Sequence, residues 1–175
     1  MKKRILHYFL CLLPILSFAQ QDRVQVVKSG SGFALVVNGK ETFINGMNWD
    51  YFPVGTNYNY SLWNQSDDVI MAALDNEMSL LKNMKVNVIR QYTGVPAKWI
   101  KYIYENYGIY TMLNHSFGRY GLTIKGKWEP NTDYANPLVR EQLLKETKEM
   151  VAQYKETPGI LLFLLGNENN YGLFW

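Results

Sequence analysis

Residues 160–168 read Ile-Leu-Leu-Phe-Leu-Leu-Gly-Asn-Glu, and the fold follows from this stretch. Six apolar residues without alternation are the pattern of a strand covered on both faces, as parallel strands are. Thr157-Pro158-Gly159 stops whatever precedes the run, and Gly166 ends it. Parallel strands need long crossovers, so a strand of this kind demands helices upstream.

Working back from it, Asn136-Pro137 opens a helix that carries Val139, Leu143, Thr147, Met150, Val151 and Tyr154 at helical spacing. Ile109–Leu113 reads as a strand. Before it, Pro96 suits the first turn of a helix with Trp99, Ile100, Ile103, Tyr104 and Tyr107 on its buried side, ended by Gly108. Val86–Arg90 is another short strand. Ser66 or Asp67 caps a helix whose stripe is Ile70, Leu74, Met78, Leu81 and Met84. Thr42-Phe43-Ile44 supplies the first strand of the series. The order from residue 42 is therefore β-α-β-α-β-α-β, which predicts an α/β fold with a parallel sheet and right-handed crossovers. Residues 20–41 precede it as a β-hairpin: Val24–Val27 and Phe33–Val37 flank Ser29-Gly30-Ser31-Gly32, and Asn38-Gly39 offers a second tight turn.

The connections are asymmetric. Helix-to-strand turns are tiny (Lys85, Gly108, Thr157-Pro158-Gly159), whereas the strand-to-helix loops near 48–66 and 115–135 are long. In α/β folds the loops beyond the carboxyl ends of the strands carry the site.

Composition narrows the function classes. The chain has 175 residues, 47% apolar, 15% aromatic and 19% charged, with one Cys, which excludes a disulfide-stapled mini-protein and a charge-rich disordered tail. The net charge of +3 comes from Lys2, Lys3 and Arg4, since the other basic residues balance the 15 acidic ones. No basic face remains for nucleic acid. Those three charges, the apolar run Ile5–Leu16 and Ser17-Phe18-Ala19 form the pattern of a signal peptide over residues 1–19, cleaved near Ala19. Cys11 lies in that run without the small residues that a lipid-anchored cleavage site places before it. The expectation is an exported protein, secreted or periplasmic, with no membrane attachment after cleavage and no Cys in the mature chain.

Each strand end carries polar or aromatic residues. Asn48, Trp49, Asp50, Tyr51 and Phe52 follow the first strand, with Tyr58, Tyr60 and Trp63 further along the same loop. Aromatic faces stack on the C–H faces of sugar rings, so this loop reads as a carbohydrate platform or as a satellite core under the loop. Arg90, followed by Gln91-Tyr92, ends the second strand and suits either a bidentate grip on a carboxylate or a structural ion pair. His115, the one His after the signal segment, rules out a His-cluster metal site, and the chain has neither HExxH nor CxxC. Glu168 leaves an all-apolar strand and reads either as a partly desolvated carboxyl group suited to giving a proton to a leaving oxygen or as an exposed helix N-cap or first-turn glutamate. With no serine elbow, P-loop or GxGxxG, hydride and phosphoryl transfer lack their cradles, no organic cofactor is called for, and carboxylate chemistry remains.

In this order the residues resemble the (β/α)₈-barrel glycoside hydrolases of the retaining clan A, above all the family 2 barrel domain, with a second similarity to the family 72 β-1,3-glucanosyltransferases. The matching text is Phe43-Ile44-Asn45-Gly46-Met47-Asn48, then Leu80-Leu81-Lys82-Asn83-Met84-Lys85-Val86-Asn87-Val88-Ile89-Arg90, then Tyr107-Gly108-Ile109-Tyr110, then Leu164-Leu165-Gly166-Asn167-Glu168. After the arginine, family 2 often carries Ser/Thr-His-Tyr-Pro, where this chain has Gln91-Tyr92-Thr93-Gly94-Val95-Pro96, an Arg-x-Tyr pattern closer to family 72. The resemblance implies a TIM (β/α)₈ barrel truncated after its fourth strand, over residues 42–175, acting on an oligo- or polysaccharide. It implies Glu168 as general acid/base, Asn167 on the sugar 2-hydroxyl and Arg90 positioning the nucleophile. His115, Asn48, Trp49, Tyr92 and Tyr171 would contact substrate. The clan's nucleophile is a Glu at the seventh strand end, so it is expected outside this sequence, the fragment alone is expected to be inactive, and no metal takes part. Two other outcomes fit the same residues: a β-glucan transglycosylase, and a non-catalytic sugar-binding remnant.

Overall fold

The computed structural model describes residues 22–169; residues 1–19, read from the sequence as a signal peptide, with Cys11, and Tyr171 lie outside the described residues. The chain begins with an antiparallel sheet of β1 (Val24–Ser29), β2 (Gly32–Val37) and β3 (Lys40–Glu41). Asn38 and Gly39 both have positive φ, 52° and 80°, the mirror-image turn that matches the twist of a two-residue hairpin.

Next come β4 (Gly46–Asn48), α1 (Asp67–Asn83), β5 (Val88–Tyr92), α2 (Ala97–Tyr107), β6 (Tyr110–His115), α3 (Pro137–Tyr154) and β9 (Ile160–Leu165). The short strands β7 (Leu122–Ile124) and β8 (Lys127–Glu129) lie between β6 and α3. Strands β4, β5, β6 and β9 form one sheet in that spatial order, and each neighbouring pair is parallel. Spatial order repeats chain order, with one helix crossing over between each pair.

The two faces of this sheet bury different things. One face packs on the helices: Ile89 and Leu113 meet Leu74, Met78, Ile100, Ile103, Met150 and Tyr154 in one apolar cluster. Full burial of each large aliphatic side chain is worth about 1.5–3 kcal/mol, so this layer dominates the stability. On the other face Val88 and Leu161 are covered by Val37, with Val24 and Leu35 beside them. The N-terminal sheet therefore sits at the start of the parallel strands. A polar clasp holds it there: Tyr110, first residue of β6, donates to Asp22 Oδ2 at 3.0 Å, and Asn38 donates to Asp22 as well. Partial burial works to raise the Asp22 pKa, but hydrogen bonds from Tyr104, Asn38 and Tyr110 outweigh it and hold the carboxyl below its usual range. The carboxyl ends of the parallel strands lie opposite it.

Four local readings change. Thr42-Phe43-Ile44 is not a strand, and pairing resumes only at Gly46. Asn87 explains this, because its side chain donates to Phe43 O and accepts from Asn45 N, 2.8 and 2.9 Å, taking the place of ladder hydrogen bonds. Met84 is 58% exposed rather than part of the buried stripe, since α1 ends at Asn83 and the chain turns at Lys85 with φ 64°. The 115–135 segment holds the β7–β8 hairpin, turned at Lys125-Gly126 with φ of 49° and 81°. Finally, β9 is only half-covered, with Leu165 52% exposed, because it is an edge of the described sheet.

Candidate active site

Parallel partners share a face. Asn48 is level with Arg90 and Arg90 with Met112, while Tyr92 is level with Asn114 and Asn114 with Leu164. Strand alternation then places Asn48, Arg90, Tyr92 and Asn114 on the face away from the helices, toward the carboxyl end of the sheet. A concavity of about 360 Å³ lies against this face, lined by Ile44, Gly46, Met47, Asn48, Val88, Arg90 and Met112.

Arg90 is the hub. Its Nε and Nη2 donate to Asn114 Oδ1 at 3.0 and 2.6 Å, and Nη2 also donates to Asn167 Oδ1 at 2.9 Å. The Tyr92 ring lies 5.4 Å from the guanidinium carbon. Both acceptors are neutral amides, so the arginine is held in place without its charge being neutralised. Arginine has five donor hydrogens, and these contacts engage only the Nε and Nη2 edge. Among the described residues Nη1 has no hydrogen-bond partner, and a guanidinium edge of this kind suits an anionic group.

The loop after β9 is fixed at three points around Glu168. Gly166 N donates to His115 O at 2.9 Å. Asn167 is tied to Arg90, and Asn169 Nδ2 donates to Phe117 O and to Tyr134 Oη, 2.8 and 2.5 Å. Gly166 has φ 103°, and a Cβ there would meet Asn169 Oδ1 at 2.0 Å, so only glycine leaves room for the asparagine to reach back. Between the two asparagines Glu168 takes φ 51°, a conformation uncommon outside glycine, and its side chain is exposed rather than desolvated. The turn at Gly166 carries Glu168 beyond the apolar strand, which is why burial along β9 does not extend to its carboxylate.

The other sequence-derived candidates divide. Asn48 and Tyr92 share the Arg90 face, both exposed. His115 does not: it alternates with Asn114, points to the helix layer, accepts from Phe117 N on Nδ1 at 3.0 Å, and presents Nε2 at 3.7 Å from Glu146 Oε2 of α3. That pairing leaves the imidazole proton on Nε2. Trp49 is 7% exposed and belongs to the helix-side core, 6.3 Å from Trp63 between ring centroids. Tyr171 lies outside the described residues. Two partners went unassigned in the sequence: Asn114, fully buried, and Asn169. Asn114 had a signal, a polar residue on a strand that is otherwise mostly apolar. Asn169 had none, since its role depends on a loop 52 residues away. Among the described residues no group of three or more His, Cys, Asp or Glu could hold a metal ion, and no helix is long and apolar enough to cross a membrane.

No family model matches the chain. It is 25% identical over 139 residues to a β-galactosidase of Lactococcus lactis, an alignment covering 79% of this chain and 12% of that protein. Its fold is similar to that of a β-glucuronidase from Parabacteroides merdae, with a TM-score of 0.57 at 20% identity over 86% of this chain and 16% of the other. The chain thus spans a small fraction of the length of either. The sequence similarity relates it to glycoside hydrolases, and the structural similarity shows a shared fold.

Proposed function

We propose that the chain forms the first half of a (β/α)₈ catalytic barrel in an exported retaining glycoside hydrolase, with Glu168 as general acid/base. The sequential parallel order of β4, β5, β6 and β9 and the fold shared with a β-glucuronidase support the barrel reading. The carrying observation is the Arg90–Asn167 bond beside an outward-facing Glu168. It uses Asn167 Oδ1 and turns the amide nitrogen loose for a sugar hydroxyl, while Arg90 keeps donors for a second carboxylate. A retaining mechanism needs two carboxyl groups about 5 Å apart, one attacking the anomeric carbon and one protonating the leaving oxygen. Glu168 supplies the second of these roles, and the attacking carboxylate comes from a later strand of the barrel. Hydrolysis of the β-glycosides named for the relatives is the starting substrate class. No metal or organic cofactor enters this chemistry.

Glu168→Gln in the full-length gene product tests the reading. Removing the proton donor while keeping shape lowers turnover of unactivated glycans by about 10²–10⁴-fold. Activated aryl glycosides, whose leaving groups need no proton, still form the glycosyl-enzyme. Full activity of the variant on natural glycans overturns the assignment.

A further inference from the structure

The loop between β4 and α1 is closed by three aromatic pairs stacked from inside to outside. Trp49–Trp63 is innermost, with Trp49 buried; Tyr51–Tyr60 is half-buried with centroids 6.3 Å apart; Phe52–Tyr58 is outermost, 5.4 Å apart and edge to face at 77°. The first two pairs explain themselves, because both pack on the main core. The third does not. Phe52 is 40% and Tyr58 93% exposed, and the tip that holds them is shaped by its own turns: Thr56 N donates to Pro53 O at 3.0 Å and Tyr60 N to Asn57 O at 2.9 Å. Gly55, with φ 87°, allows the first of these turns. The core gains nothing from Tyr58, yet the backbone presents it.

We propose that Phe52 and Tyr58 form a sugar-stacking subsite, remote from the reacting bond, that takes a pyranose ring of a β-linked oligosaccharide; the proposal rests on the glycoside hydrolase reading above. Position supports it. The loop departs from Asn48, which is level with Arg90, at the carboxyl end of the same sheet. Phe52 is four positions along the chain from Asn48, a reach of at most about 14 Å, a few sugar units along a bound chain. Chemistry supports it too. A ring face gains from contact with the C–H face of a pyranose, and exposed Asp50, Asn57 and Asn59 stand nearby in sequence with acceptors and amide donors for hydroxyls. Two rings with exposed Val54 make a patch far smaller than a protein interface needs, which favours a sugar over a protein partner.

Calorimetric titration of the full-length gene product with β-linked gluco- and galacto-oligosaccharides of increasing length tests this. Affinity should rise with length. Tyr58→Ala and Phe52→Ala should each weaken the longest ligand by about tenfold and leave monosaccharide binding unchanged, with Tyr58→Phe close to wild type. Both side chains are surface residues, and unchanged circular dichroism verifies that the variants fold. If the wild type binds oligosaccharides and the alanine variants bind them equally well, the subsite is wrong and the glycoside hydrolase reading stands. If the wild type binds no saccharide of any length, both are wrong.

Discussion

Arg90 Nη2 donates to Asn167 Oδ1 at 2.9 Å, joining β5 to the loop after β9 across the intervening strand β6. The residues are 77 positions apart, and the bond crosses β6 where Asn114 presents a second amide oxygen to the same guanidinium. Three adjacent strand ends thus converge on one cation. Its charge is oriented by amides, and no carboxylate pairs with it among the described residues.

Asn114→Ala should be strongly destabilising. The variant removes the acceptor of two hydrogen bonds from Arg90 and the donor of one to His115 O, all in a fully buried position. Bonds to a charged group contribute about 1.5–3 kcal/mol, and a buried donor left unpaired costs a similar amount. The expected loss is about 3 kcal/mol in urea unfolding with an unchanged slope. A loss under about 0.5 kcal/mol would mean that Arg90 is held by something else.

Alkaline conditions should weaken the α1–α2 contact through a tyrosine pair. Tyr102 and Tyr107 both donate to Asp75 Oδ1, at 2.6 and 2.5 Å, which holds the Asp75 carboxyl below its usual range. Burial first, and then Asp75, push Tyr107 up to about 12 from 10.0. A raised tyrosine favours the neutral form in the fold, so its contribution is complete below 10.0 and is lost as pH rises toward about 12. Asp75 acts at the other end: its contribution is in place above 3.8 and is lost as pH falls through its lower folded value. Tyr107→Phe should therefore flatten the alkaline limb of stability against pH. In the phenolate absorbance titration it should remove a late-titrating group.

The helices were legible because their stripes are: Leu74, Met78, Ile100, Ile103, Leu143 and Met150 recur at helical spacing and are buried. Asn136 was legible as a cap and accepts from Leu138 N as such. Where the local pattern misled, a distant side chain had replaced the backbone's usual partner. Asn87 clasps Phe43 and Asn45 from more than 40 residues away, so an apolar triplet that reads as a strand is left unpaired. The β7–β8 hairpin turns on Lys125-Gly126, whose lysine at positive φ is not a residue type that marks such turns. In the site, Arg90 and Asn167 could be nominated singly. That they bond to each other, and that His115 faces the helices, follows from strand register, which spacing along one strand does not encode.

The Asn87 clasp makes its own prediction. Asn87→Ala removes one acceptor for Asn45 N and one donor to Phe43 O at largely exposed groups that water can serve in exchange. The cost should be small, about 1 kcal/mol. Its signature should be local: hydrogen exchange at the Asn45 amide accelerates while amides in β5 and β6 keep their protection. Uniform loss of protection would instead place the clasp at the centre of the cooperative unit.

Gly166 and Asn169 should be energetically coupled, and a double-mutant cycle measures it. Gly166→Ala places a methyl 2.0 Å from Asn169 Oδ1 and forces an L side chain to φ 103°, so it carries both a clash and backbone strain. Expelling the asparagine also forfeits its bonds to Phe117 O and Tyr134 Oη. The single variant should cost about 3 kcal/mol, of which about 1–2 is the strained backbone. In an Asn169→Ala background the clash and those bonds are already gone, and Gly166→Ala should cost only the strain. The two changes should therefore fall short of additivity by about 1–2 kcal/mol, within the range for residues in contact. Strict additivity would mean that Asn169 does not occupy the space Gly166 leaves, and the loop carrying Glu168 would then be fixed only by the Asn167–Arg90 and Gly166 N–His115 O bonds.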